Sequence, residues 1–350
     1  MSANKGMGMQ IMDERKQQIL QALIQDYIAT GDPVGSRTIA RKYDFGVSSA
    51  TIRNEMADLE EMGFIEQPYT SAGRVPSQTG YRYYVDFLMK RRPLSGDVKK
   101  QIKGSIVDKM RETDSIIHVA SKLLSQLTSY TALAVAPSFE KNSLRYIQLL
   151  PIEGNKIVLV IVLDNGHVEH RTMDVPDSLK GEDFQYISSI LNKNLKGLSF
   201  AQWKSGMLQG INFEVGYQKK LLNQVILMIE SALKKEYESK VYLGGTLNIL
   251  NQPEFKDVEK VKVIMELLEE DKILKEVLNT DQKSGVTVRI GTENVHEGMK
   301  NCSLVTATYE LNGRVIGTLG VLGPTRMEYS NAFNIVEFIT MAITEGINKL

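Results

Sequence analysis

Between Asp13 and Arg82 the hydrophobic period changes and Gly, Pro and Ser interrupt it in an order that leaves few folds open. From Asp13 to Thr30 the residues Ile19, Leu20, Leu23, Ile24, Tyr27 and Ile28 recur at helical spacing. Asp13 and Glu14 suit the positive end of that helix, and Gly31 suits its C-cap. After the turn GDPVGS, Ser36 is placed to cap a short helix, SRTIARKY, with Ile39, Ala40 and Tyr43 facing inward. The break DFGV precedes a third helix, SSATIRNEMADLEEMG, capped by Ser48, burying Ile52, Met56 and Leu59, and stopped by Gly63. FIEQPYTSAGRVPS then reads as two extended runs around a Ser-Ala-Gly turn. Pro68 and Pro76 mark both runs as edges, because proline cannot donate to a ladder. Three helices followed by a hairpin predict a winged helix-turn-helix.

An aromatic helix and a Pro/Gly break, TGYRYYVDFLMKRRPLSGD, read as a linker. Beyond it the pattern predicts a long helix over 101–130, then strands TALAVAP, SLRYIQLLP, NKIVLVIVLDNG and HVEHRTMDVP. Helices are expected near 181–195, 213–238 and 253–279. Strands VTVRIG, CSLVTATYELNG and RVIGTLGVLGP follow, with Asn-Gly at the hairpin, and a final helix begins at Glu328. Antiparallel hairpins rather than alternating βαβ units place the chain in the α+β class. At 350 residues it is long enough for more than one core.

Lys+Arg and Asp+Glu each number 42, so the chain as a whole exerts no net pull on a polyanion. Any nucleic-acid binding must come from a local patch, and zero net charge favours association. A single cysteine, Cys302, excludes an internal disulfide framework and a multi-Cys metal site. The opening MSANKGMGMQI lacks an apolar h-region and no stretch is long enough to span a bilayer, so the expectation is a soluble, cytoplasmic protein.

The third helix has the side chains a groove-reading element needs. Ala50, Thr51, Arg53, Asn54 and Ala57 project opposite its apolar face, and Ser48 and Ser49 open it. Arg can fork onto guanine, Asn onto adenine, and Ser or Thr can serve base or phosphate. Its second half is acidic, with Glu55, Asp58, Glu60 and Glu61, so only its first turns could lie against phosphates. Ser36, Arg37, Arg41 and Lys42 on the preceding helix are candidates for the DNA backbone. The wing contributes Ser71, Gly73, Arg74 and Arg82, and no acid lies between Gln67 and Arg82. Over residues 1–92, 12 Lys and Arg stand against 11 Asp and Glu, so placement matters more than the sum. A winged helix serving protein–protein contact stays open as an alternative.

The strings YIATGDPVGSRTIARKY, VSSATIRNEMADLEEMGFIEQPYTSAGRVPSQTGYRYYVD and GTLGVLGPTRMEYSNA resemble the HrcA family of heat-inducible transcription repressors. The resemblance implies a winged-helix domain with its linker over 1–92 and a GAF-like domain in two parts, 101–176 and 251–350. A dimerising domain over 177–250 would be inserted between them. It further implies a homodimer on double-stranded DNA carrying an inverted repeat, the CIRCE operator, and a GroEL-type chaperonin as co-regulator. Leu221, Leu222, Val225, Ile229 and Leu233 form one apolar helix face, a candidate dimer element for which core packing is the equal alternative.

Other constellations carry less. His167 and His170 lie three apart in an extended stretch and point to opposite faces, so a metal pair is not expected. His118 and His296 have no sequence partners, and Cys302 reads as core. Gly317, Gly320 and Gly323 match no phosphate-binding pattern and suit a close backbone approach. Tyr81, Tyr83, Tyr84 and Phe87 are better placed to pack the winged helix onto its neighbour than to stack on bases. Neither catalytic residues nor a cofactor or metal are expected. No motif supports a ligand-sensing C-terminal domain or an enzyme fused to a DNA-binding head.

Replacing Arg53 by Ala is expected to relax base preference and to cost about 1–3 kcal/mol of DNA binding. Competition between matched and scrambled duplexes checks it: undiminished discrimination would remove Arg53 from the reading face.

Overall fold

A computed structural model describes residues 12–107, 113–135, 143–153, 155–164, 168–175, 181–199, 202, 226, 240–279 and 285–348. The chain divides into two compact units, one of residues 1–136 and 241–350, the other of residues 137–240.

In the first unit, α1 (Glu14–Thr30) starts where the Asp13 carboxylate accepts from the Lys16 amide at 2.8 Å. It ends at Gly31, whose φ of 76° is left-handed, as its C-cap position predicts. α2 (Ser36–Lys42) is capped by Gly35, not Ser36. Ser36 is already helical and Gly35 offers no side-chain bond. In α3 (Ser49–Glu61), Ser48 Oγ accepts from the Thr51 amide at 3.2 Å, and Ile52, Met56 and Leu59 are buried. β1 (Ile65–Glu66) and β2 (Val75–Pro76) pair antiparallel, and Val34 and Arg74 exchange two backbone hydrogen bonds at 2.8 and 2.9 Å. Three helices, a two-stranded wing and this added bridge form a winged helix-turn-helix. α4 (Gln78–Tyr83) follows, running on as a π-helical turn over Tyr84–Leu88.

Where one helix is expected over 101–130, the structure has α5 (Gly96–Val107), which starts earlier, and α6 (Thr113–Thr128). β3 (Thr131–Val135) then enters a five-stranded antiparallel sheet. After the second unit the chain re-enters it with β7 (Val241–Gly244), a strand the hydrophobic pattern did not announce. α8 (Val258–Glu269) and α9 (Asp271–Asn279) lead to β8 (Val286–Ile290), β9 (Cys302–Leu311), β10 (Arg314–Pro324) and α10 (Tyr329–Ile347). The order across the sheet is β7-β3-β10-β9-β8. Asn312 and Gly313, with φ of 50° and 76°, make the expected β9–β10 hairpin.

Side chains alternate between two cores. Ala132, Ala134, Val305, Ala307, Leu319 and Val321 join the core that contains α6 and α10. Leu133, Val135, Cys302, Leu304 and Leu322 meet Leu267, Leu268, Leu274 and Leu278 on the other face. Cys302 is the core residue its pattern suggests, and burial pushes its thiol up to about 12. The three glycines of β10 serve close approach. A Cβ at 317 would meet Tyr309 Oη at 2.2 Å, and one at 320 the Val305 carbonyl at 2.5 Å. A Cβ at 323 would meet the Tyr130 ring at 2.8 Å.

The second unit is a sheet in the order β4-β5-β6, with β4 (Leu144–Ile152), β5 (Lys156–Leu163) and β6 (Val168–Asp174), packed on α7 (Gly181–Leu195). Leu149, Leu159 and Ile161 meet Phe184, Ile187 and Leu191. Asn192 of α7 accepts from the Ile147 amide at 2.9 Å and donates to its carbonyl at 2.6 Å, so helix side chains occupy the open edge of β4. The structure therefore moves the expected domain break. The strands over 144–174 were expected with the first GAF-like part, but they build their own sheet, and the units part after residue 136 rather than 176. Leu221, Leu222, Val225, Ile229 and Leu233 lie outside the described residues, as does His167.

Gly80 tests the wing's seat. A Cβ there would fall 2.1 Å from the Phe64 carbonyl oxygen, a backbone atom with no room to yield. Gly80→Ala is expected to destabilise the first unit by about 1–3 kcal/mol. Denaturant unfolding measures it, and an unchanged midpoint would refute the close approach.

Candidate nucleic-acid interface

The winged helix sorts its charges by pairing them. On α3 the exposed residues Ala50, Arg53, Asn54 and Ala57 fall at i, i+3, i+4 and i+7, a single stripe opposite Ile52, Met56 and Leu59. Ser48 is exposed at the cap. Ser49 and Thr51 are half-buried, and the Thr51 hydroxyl sits 3.0 Å from Ser48 Oγ, so it shapes the helix start.

Three of the four acids on the rest of α3 are paired with cations of the same domain, while Asp58 and Glu61 stay exposed. Lys16 of α1 reaches Glu55 at 2.7 Å and Asp58 at 3.1 Å, and Arg15 stands 3.7 Å from Glu55. Hydrogen bonds to Glu55, Asp13 and Asp58 raise the Lys16 ammonium well above its usual range and keep it charged. Glu60 takes a two-pronged bond from Arg74, Nε at 2.8 Å and Nη2 at 2.7 Å. Three of the four acids that would repel phosphates thus have cationic partners.

The same pairing redirects several basic residues expected at DNA. Arg74 ties the wing to α3. Lys42 bonds the carboxylate of Asp26, which is 4% exposed in α1, and that bond raises the Lys42 ammonium. Arg82 turns to the C-terminal part of the chain. It donates to the Val288 carbonyl at 2.8 Å, pairs with Glu293 at 3.1 Å and reaches Asp86 at 3.0 Å. Arg37, Arg41 and Arg53 remain exposed and without an ion pair among the described residues. Ser36 is half-buried. At the wing tip Ser71 and Tyr69 are exposed, and Gln67 braces the turn by donating to the carbonyls of Thr70 at 2.9 Å and Ala72 at 3.1 Å. Gly73 is required where it stands, since a Cβ would lie 2.6 Å from the Val34 carbonyl.

The aromatic helix packs the winged helix onto its neighbour. Tyr81, Tyr83 and Tyr84 are buried, Tyr81 meets the Tyr329 ring at 5.8 Å, and Phe87 is 64% exposed. Gln78 Oε1 accepts from the amide and hydroxyl of Thr292, both at 2.9 Å. The supposed linker is strapped down. Ser330 donates to the Lys90 carbonyl at 2.8 Å, Asn334 to the Arg92 carbonyl at 2.6 Å, and Arg91 lies 4.1 Å over the Phe333 ring. Among the described residues no group of His, Cys, Asp and Glu could hold a metal ion.

Residues 12–85 match the winged helix-turn-helix transcription repressor, HrcA DNA-binding domain, and residues 114–333 match the HrcA protein C-terminal domain. The chain belongs to the HrcA family. A heat-inducible transcription repressor HrcA of Pelotomaculum thermopropionicum is 48% identical over 97% of this chain and 98% of its own length. One of Desulforamulus reducens is 44% identical over the same shares. A crystal structure of a hypothetical protein matches 97% of this chain and 99% of its own with a TM-score of 0.65, at 22% identity, and so shares the fold. As in other HrcA chains by name, the winged helix is a DNA-binding domain and the protein is not an enzyme.

The Arg74–Glu60 pair separates two roles for the wing arginine. If Arg74 acts by holding the wing, Glu60→Ala weakens binding to every duplex, as Arg74→Ala does, and the double variant adds little. If Arg74 instead reaches a phosphate, removing the Glu60 charge strengthens binding. The geometry predicts the first outcome, read by fluorescence anisotropy on matched and scrambled duplexes.

Proposed function

We propose that this protein is a cytoplasmic repressor of heat-shock transcription that binds an inverted-repeat operator of the CIRCE type as a homodimer. The observation that carries the DNA-reading part is the exposed stripe of Ala50, Arg53, Asn54 and Ala57, beside acids already neutralised from within. Arg53 forks onto guanine and Asn54 serves adenine from the first turns of α3, with Ser48 and Ser49 at its entrance. Arg37 and Arg41 supply phosphate contacts, and Ser71 and Gly73 bring the wing to the backbone or the minor groove. The names of the relatives support the heat-inducible repressor role.

An inverted repeat is read by two copies related by a two-fold axis. The second unit is the proposed dimerising part, with Leu221, Leu222, Val225, Ile229 and Leu233 as its candidate contact face. The GAF-like reading of the remainder is supported by its five-stranded antiparallel sheet, interrupted after the first strand by that unit. A GroEL-type chaperonin keeps the repressor folded and active until heat-damaged proteins divert it. Zero net charge, which favours association, is consistent with such dependence.

The test is equilibrium binding of the full chain to an inverted-repeat duplex and to a scrambled duplex over a salt series, with and without chaperonin. Salt-sensitive binding that favours the repeat and grows with chaperonin is expected. Equal affinity for both duplexes, or none with soluble dimer in hand, would make the winged helix a protein-contact module. Binding that ignores chaperonin would remove that partner alone.

A further inference from the structure

A cavity of about 480 Å³ opens in the first unit where the winged helix meets the C-terminal part, a size ordinary for a small-molecule site. One wall comes from the end of α1 and from the strap, the other from the segment after α6 and from residues 326–330. Lys90, Arg92 and Arg326 contribute three cations to its lining, against one carboxylate, Glu328. Arg326 is held by Glu254 at 2.6 Å and donates to the Ile28 carbonyl at 2.6 Å. Lys90 and Arg92 have no ion pair among the described residues. A concave surface that concentrates positive charge focuses the field on anions.

The neutral groups complete a recognisable chemistry. Tyr130 Oη accepts from the Glu328 amide at 2.9 Å, which leaves its own hydrogen to donate. Burial raises the Tyr130 phenol, so it stays protonated at neutral pH. Tyr84 and Tyr130 add aromatic rings to the lining, and the first turn of α10 presents its positive end there. Guanidinium, ammonium and phenol donors around one space suit the three oxygens of a phosphate better than a single carboxylate. A lining that includes Tyr84 and Tyr130 suits a planar body beside the phosphate.

We propose that this cavity binds a small phosphomonoester carrying a planar ring, and that its occupancy alters DNA affinity by fixing the winged helix to the C-terminal part. The regulatory half rests on the DNA-binding reading above; the binding half does not. The coupling follows from the walls, because a ligand that contacts α1 and the strap on one side and Tyr130 and Arg326 on the other favours the docked arrangement over any other.

The experiment is isothermal titration of the full chain with phenyl phosphate, inorganic phosphate and benzyl alcohol, repeated on Arg92→Gln and Tyr130→Phe. Circular dichroism and unliganded melting confirm that each variant is folded. Saturable binding of phenyl phosphate is expected, weaker binding of phosphate, and none of the alcohol. Arg92→Gln should weaken phenyl phosphate by roughly tenfold or more, and Tyr130→Phe by severalfold. No saturable heat with phenyl phosphate, or equal binding by wild type and folded Arg92→Gln, overturns the site. DNA affinity is then measured at saturating phenyl phosphate. A change supports the coupling and an unchanged value overturns it. Failure to bind any duplex, with the titration intact, sinks the repressor reading and leaves the site standing.

Discussion

One hydrophobic core runs from Ile52 of the third helix through Leu23, Tyr81 and Tyr329 to Ile339 and Ile343 of the last helix. The third helix therefore belongs to a core that the winged helix shares with the C-terminal part. Burying a Leu or Ile side chain contributes about 1.5–3 kcal/mol, whereas an exposed ion pair contributes about 0–1. The shared apolar contact accordingly supplies most of the attachment of the winged helix to the C-terminal part. The polar ties, Arg82 to Glu293 and Gln78 to Thr292, contribute orientation instead. A winged helix on a loose tether would sample many orientations, and this one is seated by packing on one side and by a strapped connection on the other.

Electrostatics on the DNA side follow from that seating. A chain with no net charge has to create a positive face by moving its acids out of reach. Lys16 and Arg74 do so for the acidic half of α3, and Lys42 does so for the buried Asp26. A lysine or arginine used in this way neutralises an acid beside the exposed stripe of α3. Removing Lys16 would leave Glu55 and Asp58 without their nearest cation and change no residue of the exposed stripe. Among the described cations of the winged helix, Arg37, Arg41 and Arg53 are left without an ion pair, and they share its surface with the exposed acids Glu14, Asp32, Asp44, Glu61 and Glu66.

Local features were legible in the sequence and long-range ones were not. Gly31 and Ser48 announced their caps, Asp13 announced the positive end of α1, and Asn-Gly announced the hairpin after β9, because each signal acts within a few residues. The buried stripe of α3 and the packing role of Tyr81 were also readable from spacing. The fate of Arg82 was not, since its partner lies 211 positions away, beyond the reach of any local pattern. Arg74 and Glu60 are only 14 apart, but their pairing depends on how the wing folds back on α3. β7 has four residues and gains its identity only by pairing with β3. The break after residue 136 was hidden for a similar reason. In sequence β4 to β6 read simply as strands, and only their pairing partners place them in a separate sheet.

A shared core also has thermodynamic consequences for a repressor of the proposed kind. Domains are stable by only about 5–15 kcal/mol, so the loss of a few buried contacts anywhere in a cooperative unit changes the folded fraction steeply. With Tyr329 and Ile339 in the same core as Ile52, loosening α10 also withdraws support from α3. DNA affinity then reports on the integrity of a much larger body than the winged helix alone. Such an arrangement would let anything that stabilises the C-terminal part act on DNA binding without touching DNA, as the proposed chaperonin or the proposed ligand would. Coupling of that kind would need no moving relay, because buried residues of α3 and of α10 fall in one cluster.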